Sequence, residues 1–399
     1  MSPKLHGNLV IGEAGGATAV INASLVGAFE AARDDNHIDG IYGMRFGSEG
    51  LLREDLIDLR AQPASLWPRL RNTPSAALGS SVYKLSDADM HRMVEVLRHY
   101  NIRYVNYIGG GGSARTVHRL VETAQQDGYE LYAVSVPKTI DNDLPHTDHC
   151  PGYGSAARFM ALATMDSTVN LLAVPSTRPI KIIEAMGRDV GWLTAASALG
   201  KREDADPPHL LLIPEQLFNE ERFLRQVETI YAQLGHVIIV TAEDIGNEER
   251  QPVNAAKQQE TDAEHSQSAN STAQYLANLI RQHLRLDARF ERYGDLQWCS
   301  ISSTDRDEAY MVGQEGTKAL LRGETDKMVT LIRDSDSPYH CTTGLVELTQ
   351  VVDQHRPFPD EYLDASKTMV TQAFYDYALP LLGDPLPVYP KLEEIKVRI

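Results

Sequence analysis

The sequence predicts an α/β protein built on parallel sheets, and three observations predict it. Short apolar runs alternate with stretches of helical periodicity. Glycine-rich turns follow several of the runs. The runs fall into two series, about 1–140 and about 175–245. Strands alternating with helices need crossover connections, which give parallel sheets with right-handed crossovers. In chain order, Leu9–Ile11 is the first strand, and Gly12, Gly15 and Gly16 lead from it into the helical stretch AVINASLVGAFEAAR. Arg103–Ile108 is the second, followed by four glycines and the helix SARTVHRLVETAQQ. Leu131–Pro137 is the third, and Ile180–Ala185, His209–Pro214 and His236–Ala242 form the later series. Gly246–Ser271 has few large apolar side chains and reads as a mobile loop. A helix follows, with Asn270 or Ser271 as its cap.

The chain has 399 residues, 42% apolar and 23% charged, which is ordinary for a globular protein of two domains. Its net charge of −17 disfavours a nucleic acid or a membrane surface as partner, because both need clustered Lys and Arg. Cys150, Cys299 and Cys341 are widely separated and form no CxxC pair, which fits a reducing compartment. The first apolar run is too short for a secretion signal, and nothing approaches the ~20 apolar residues of a membrane span. A cytoplasmic enzyme is the expectation.

In parallel α/β sheets, ligands gather at the carboxyl ends of strands, so the residues after each strand carry the functional reading. Gly109-Gly110-Gly111-Gly112-Ser113 lies between a strand and a helix. There, backbone N–H groups and the positive helix end suit a phosphate; the plain alternative is a tight turn. The spacing also fits a dinucleotide fingerprint, but the ribose-binding acid expected after the next strand is missing, since that strand ends in Val136-Pro137. No Walker-type GxxxxGK loop is present. The stretch PKTIDND, Pro137 to Asp143, sets two carboxylates two residues apart beside a lysine. One acid can take a proton from an attacking hydroxyl, the other can orient it or hold Mg2+, and the lysine can neutralise phosphate oxygens. Without a ligand, the Lys–Asp pair of such a solvated loop is worth at most about 1 kcal/mol. Gly187-Arg188, after Ile180–Ala185, offers a guanidinium fork to a phosphate, although a lone arginine there is more often a surface residue. Glu215, after HLLLIP, can accept a bond from a sugar hydroxyl or cap the next helix.

In order along the chain, GGATAVINAS, GSSVYKL, GGGGS, PKTIDNDL, PGYGSAARF, EAMGRDVGW and IPEQ form a set that resembles the phosphofructokinase family, from about residue 8 to at least 315. The likeness is greatest to its pyrophosphate-dependent branch, through Gly15–Ser24 and Lys138. The resemblance implies two doubly wound parallel-sheet, Rossmann-like domains with the active site in the cleft between them. One is a phosphoryl-donor domain of 1–145 plus part of about 298–355; the other is a sugar-phosphate domain of 146–297 plus the C-terminal segment. It implies phosphoryl transfer from pyrophosphate to the 1-hydroxyl of fructose 6-phosphate or a related sugar phosphate. Mg2+ is the implied cofactor, and a homo-oligomer, dimer or tetramer, the implied assembly. Asp141 matches the general base, and Asp143 matches its partner near the metal and the transferred group. Thr139 matches a contact to that group, and Lys138 the pyrophosphate-contacting lysine. Gly15, Gly16, Gly111, Gly112 and Ser113 fall at the donor. Met186, Gly187 and Arg188 match the fructose 6-phosphate loop, Glu215 the acid at the sugar hydroxyls, and Arg289 a 6-phosphate arginine, with Arg178 a further candidate cation.

Four departures from the family pattern fall at ligand-facing motifs. GGGGS lacks the acid that precedes the serine in the pyrophosphate branch and fills the nucleotide's space, so ATP stands as an alternative donor. Val82 replaces an arginine that reaches the donor phosphates. Asp295 and Trp298 replace residues better suited to a sugar phosphate, and Thr241-Ala242-Glu243-Asp244 stands where relatives read SEG. A family member recruited to another acceptor is therefore the second reading. A catalytically weak regulatory subunit is the third, and a dinucleotide oxidoreductase a distant fourth.

Overall fold

The alternating runs and helices resolve into two sheets. The structure is a computed structural model that describes residues 5–174, 179–253, 271–390 and 392. Arg178 and most of the expected loop, 254–270, lie outside the described residues. The first sheet contains β1 (Gly7–Glu13), β2 (Ile38–Met44), β3 (Leu56–Asp58), β4 (Ile102–Gly109) and β5 (Tyr132–Pro137), joined from far along the chain by β10 (Lys327–Asp336) and β11 (Tyr339–Glu347). Its order is β11-β10-β5-β4-β1-β2-β3. The second sheet contains β6 (Ile180–Ala185), β7 (Leu210–Leu212), β8 (Val237–Ala242) and β9 (Ala288–Arg292), in the order β7-β8-β6-β9.

Helices cover both faces of each sheet. On the first, α1 (Ile21–Ala32) and α10 (Ser303–Leu321) bury Leu25, Phe29 and Val312 against Leu9 and Ile11. The opposite face, with Val10 and Val105, is covered by α4 (Asp87–His99) and α5 (Gly111–Gln126). The short helices α2 (Gly47–Leu52) and α3 (Trp67–Leu70) sit in the connections between. On the second sheet, α6 (Tyr153–Leu172), α7 (Trp192–Ala196) and α11 (Gln372–Ala378) pack over Ile183 and Val240. There, α8 (Glu220–Leu234) and α9 (Thr272–Leu284) cover the other face, over Ile182 and Ile239. Ser271 caps α9 by accepting from Gln274 N at 3.3 Å.

The expected strands all form, Ile180–Ala185 with the limits expected and the others with changed ones. Leu9–Ile11 extends to Gly7–Glu13, and His209–Pro214 shrinks to Leu210–Leu212 at a sheet edge, ahead of a proline that has no N–H for a ladder. The first sheet is not purely parallel: β3 and β11 pair antiparallel at its two edges.

Helices α1 and α10 touch backbone to backbone. A Cβ on Gly27 would lie 2.1 Å from Tyr310 O, and one on Gly313 would lie 2.1 Å from Ser24 O, so a methyl at either position forces the helices apart. Overpacking of that kind costs about 1–3 kcal/mol. At its start, α10 also holds the second half of the chain. The Asp305 carboxylate accepts from Gly152 N at 2.8 Å and Ser155 N at 2.9 Å, an anion at the N-terminus of α6.

Candidate active site

The PKTIDND loop leaves β5 with its backbone tied on both sides. Lys138 N donates to Gly109 O at 3.0 Å and Thr139 N to Pro151 O at 3.1 Å. Lys138 is buried, and its Nζ donates to Gly16 O at 2.6 Å. Gly15 turns with φ +76°, and a Cβ there would stand 3.3 Å from that ammonium, so the turn over the lysine calls for glycine. Burial lowers the Lys138 pKa to about 8 against the opposing pull of Asp141, Glu13 and Asp143. Burial, then repulsion from Asp143 and Glu243, raises Asp141 to about 7, with Lys138 working the other way. Thr139 Oγ1 accepts from Asp141 N at 3.0 Å. Asn142 turns the chain with φ +57° and is fixed by a bond to Tyr377 OH at 2.9 Å and one from Cys150 N at 2.9 Å. That turn sends both Asp141 and Asp143 toward one cavity.

Two cavities meet at this loop. The larger, about 520 Å³, is floored by Gly110, Gly111, Gly112 and Ser113 at the start of α5, and its mouth carries Val82 and Tyr83. Gly15, Gly16 and Asp143 also line it. The smaller, about 360 Å³, is lined by Met186, Gly187, Arg188, Asp189, Glu243 and Trp298. Gly16, Lys138, Thr139 and Asp141 line both. Gln297, itself buried, holds the second cavity's loop by accepting from Met186 N at 3.1 Å. Arg188 is 72% exposed and pairs with Asp244 at 3.5 Å.

Not every residue singled out in the sequence is brought to these cavities. Glu215 lines neither: its Oε1 accepts from Gly191 N at 3.0 Å and Phe358 N at 2.7 Å. Arg289 sits on the edge strand β9, half-exposed and 3.7 Å from Asp287. Glu243, mentioned in the sequence only as a departure, faces the second cavity, and burial raises its pKa. Arg115 and Arg119 also line the first cavity, one turn apart on α5; their i, i+4 spacing just after the glycine loop was a readable signal. Glu13, at the end of β1, gave none. It is fully buried, accepts from Leu78 N at 2.8 Å, and is pushed up to about 8 by burial.

Among the described residues no group of three or more His, Cys, Asp or Glu is arranged to cage a metal ion. Mg2+ needs no such cage when it arrives on phosphates, because one or two carboxylates then suffice. Asp143, with its side chain 22% exposed and facing the first cavity, fits that part.

A cleft of this kind, a glycine-rich turn at a helix start facing a buried lysine and a carboxylate pair between two sheets, has the features of an α/β phosphotransferase. Residues 8–320 match the family model for phosphofructokinase. The chain is 35% identical to a pyrophosphate–fructose 6-phosphate 1-phosphotransferase of Halomonas elongata, over 96% of this chain and 93% of that protein. It is 31% identical to a sulfofructose kinase of Alkalicoccus urumqiensis, over 90% of this chain and 92% of that one. The crystal structure of a pyrophosphate-dependent phosphofructokinase from Marinobacter aquaeolei superposes with a TM-score of 0.86 at 32% identity, covering 98% of each chain. The chain belongs to the phosphofructokinase family.

Proposed function

We propose that this protein moves a phosphoryl group from pyrophosphate to the 1-hydroxyl of fructose 6-phosphate or a related sugar phosphate. The observation that carries this reading is the overlap of the two cavities at Gly16, Lys138, Thr139 and Asp141. A donor in the larger cavity and an acceptor in the smaller one meet there. Asp141 takes the proton of the 1-hydroxyl; the sugar oxygen bonds to phosphorus as the bridging P–O bond breaks, and orthophosphate leaves. Lys138 neutralises donor oxygens, and the N–H groups of the glycine loop orient the rest of the donor. Asp143 would hold Mg2+, which when bound neutralises charge on the donor phosphates. Met186, Gly187 and Arg188 hold the acceptor. Glu243 lines the acceptor cavity, as Glu215 does not, and is an acid placed to bind a sugar hydroxyl.

The sheets draw on residues 7–137 with 327–347, and on 180–292. This supports a donor domain of 1–145 with part of 298–355 and an acceptor domain of 146–297 with the C-terminal segment. Among the described residues no helix is long and apolar enough to cross a membrane. We place the activity in a cytoplasmic homo-oligomer, as the family resemblance implies.

A second reading of the acceptor has its own support. The smaller cavity is lined by two cations, Lys138 and Arg188, and three carboxylates, Asp141, Asp189 and Glu243, with the neutral Trp298 beside them. A dianionic phosphate is disfavoured there relative to a monoanionic sulfonate, and one relative is named for a sulfonated fructose. ATP remains the alternative donor, since a Cβ at Gly112 would meet nothing within 4 Å. Phosphorus NMR on pyrophosphate or ATP, each with Mg2+ and either fructose 6-phosphate or 6-deoxy-6-sulfofructose, tests all of this. Orthophosphate together with a new C1 phosphate ester from pyrophosphate and fructose 6-phosphate is the expected result. Product from ATP alone overturns the donor, and product from the sulfonate alone overturns the acceptor.

A further inference from the structure

Past residue 320, where the match to the family model ends, the chain returns to the cleft at Arg356–Phe358. Arg356 N donates to Asp143 O at 2.7 Å. Its guanidinium reaches three more carbonyls of the same loop: Nε to Asn142 O at 3.2 Å, and Nη1 to Thr147 O at 2.8 Å and Asp148 O at 2.5 Å. Nη2 donates to Tyr377 OH at 3.2 Å, and that hydroxyl donates onward to Asp148 O at 2.9 Å. One planar fork thus closes the whole turn from Asn142 to Asp148 around itself. The other side of the segment grips the acceptor loop. The guanidinium lies 4.5 Å over the ring of Trp192, whose Nε1 donates to Arg356 O at 3.3 Å. Two residues on, Phe358 N shares the Glu215 carboxylate with Gly191 N.

We propose that Arg356–Phe358 is a strap that sets the loop carrying Asp141 and Asp143 against the acceptor loop Met186–Gly191, with Arg356 as a positioning residue for catalysis. Arg356 lines neither cavity, so it acts through the loop backbone and not on substrate. A lysine cannot replace it: one ammonium at the end of a flexible stem does not span three carbonyls and a phenol in one plane. The same geometry gives Glu215 a purpose away from the sugar, as the carboxylate that ties the strap to Gly191. The kinetic part of this proposal rests on the activity proposed above; the exchange part does not.

The test uses full-length protein carrying Arg356→Ala or Arg356→Lys. With pyrophosphate and fructose 6-phosphate, kcat per folded molecule should fall about 100-fold in R356A, the scale of a misplacement near 1 Å, while both KM values stay within about threefold. R356K should stay at least about tenfold below wild type, and free guanidinium at tens of millimolar should restore part of the R356A rate. Hydrogen exchange should quicken at amides of residues 141–150 in R356A and not along α5. A kcat within twofold of wild type, or a loss that vanishes on correction for unfolded protein, overturns the proposal. If the wild type is inert with these substrates, the functional reading fails and exchange alone decides the strap: unchanged protection at 141–150 overturns it. Should R356A not fold, R356K and Tyr377→Phe carry both measurements.

Discussion

The two sides of the cleft are built differently. On the donor side Lys138 is buried under a glycine turn, and the backbone of its loop is bonded to β4, to the start of α6 and to the strap. On the acceptor side Arg188 is 72% exposed with a single 3.5 Å ion pair, and Trp298 stands on a short helical turn, its ring 3.8 Å from where a Cβ on Gly16 would be. Groups that perform the transfer need burial to shift their pKa values and neighbours to fix them, so many elements constrain each one. The exposed side chains of the smaller cavity, Arg188 and Asp189, sit where a substitution usually changes stability by less than about 0.5 kcal/mol. The fold therefore constrains the buried Lys138 and the loop behind it, and the departures from the family pattern fall at less constrained positions on both sides of the cleft, Val82 and Gly112 on one and Asp295 and Trp298 on the other.

That contrast can be broken at several points. Asp141→Asn should do most damage, lowering kcat by about 10²–10⁴-fold while calorimetry still finds both substrates bound, because an amide cannot take the proton; most of the wild-type rate surviving would remove Asp141 as the base. Lys138→Met should raise the pyrophosphate KM by about 10- to 100-fold through loss of a charge-assisted contact. The same variant tests the pH profile. In the wild type, Asp141 is protonated and idle below about pH 7, and Lys138 loses its charge above about pH 8, so kcat/KM should be bell-shaped between those limbs. K138M should keep the acidic limb and lose the basic one. Across the cleft, Trp298→Arg should tighten fructose 6-phosphate by about three- to tenfold in a calorimetric titration, since a guanidinium replaces an indole beside the acceptor. Fructose 6-phosphate binding at low micromolar levels to the wild type would instead show that Trp298 costs the phosphate nothing. Val82→Arg should have the smallest effect, because Val82 is 84% exposed at the cavity mouth; a two- to fourfold fall in the donor KM, on the order expected of an exposed charge, is the outcome that supports its place there.

What could be read from the sequence follows the same division. Strands β1, β4, β5, β6 and β8 are buried on both faces, so they appear as short, mostly apolar runs even where Asn106, Lys181 and Glu184 interrupt them. The glycine loop and PKTIDND are local motifs, and the structure brings both to one cavity. By contrast β9 reads ARFER on an exposed edge, and β2 carries two glycines, so neither has a clear apolar signature. The hairpin of β10 and β11 lies nearly 200 residues from its neighbour β5, and sequence patterns carry no such pairing. Glu215 shows the same limit. Its position after a strand points to a ligand, and the tertiary fold adds two partners for its Oε1 that no local pattern carries, Gly191 and Phe358. Glu13 carries no local signal either, because the burial that makes it hard to ionise comes from the tertiary fold.

The close crossing of α1 and α10 bears on how the molecule is made. The second sheet is complete once the chain has been synthesised to Arg292. The first sheet begins at Gly7, yet its β10 and β11 end only at Glu347, and the face of α1 around Gly27 stays bare until Gly313 has emerged to meet it. Contacts spanning some 290 residues close slowly and late. On the ribosome neither half therefore finishes early: the first waits for β10 and β11, and the second, although its strands end at Arg292, receives Phe374, Tyr377 and Leu381 into its core only when the C-terminal segment has emerged. During that interval Val20 and Ala23, which pack against Ala309 of α10 in the finished fold, are apolar surface that a chaperone would have to shield.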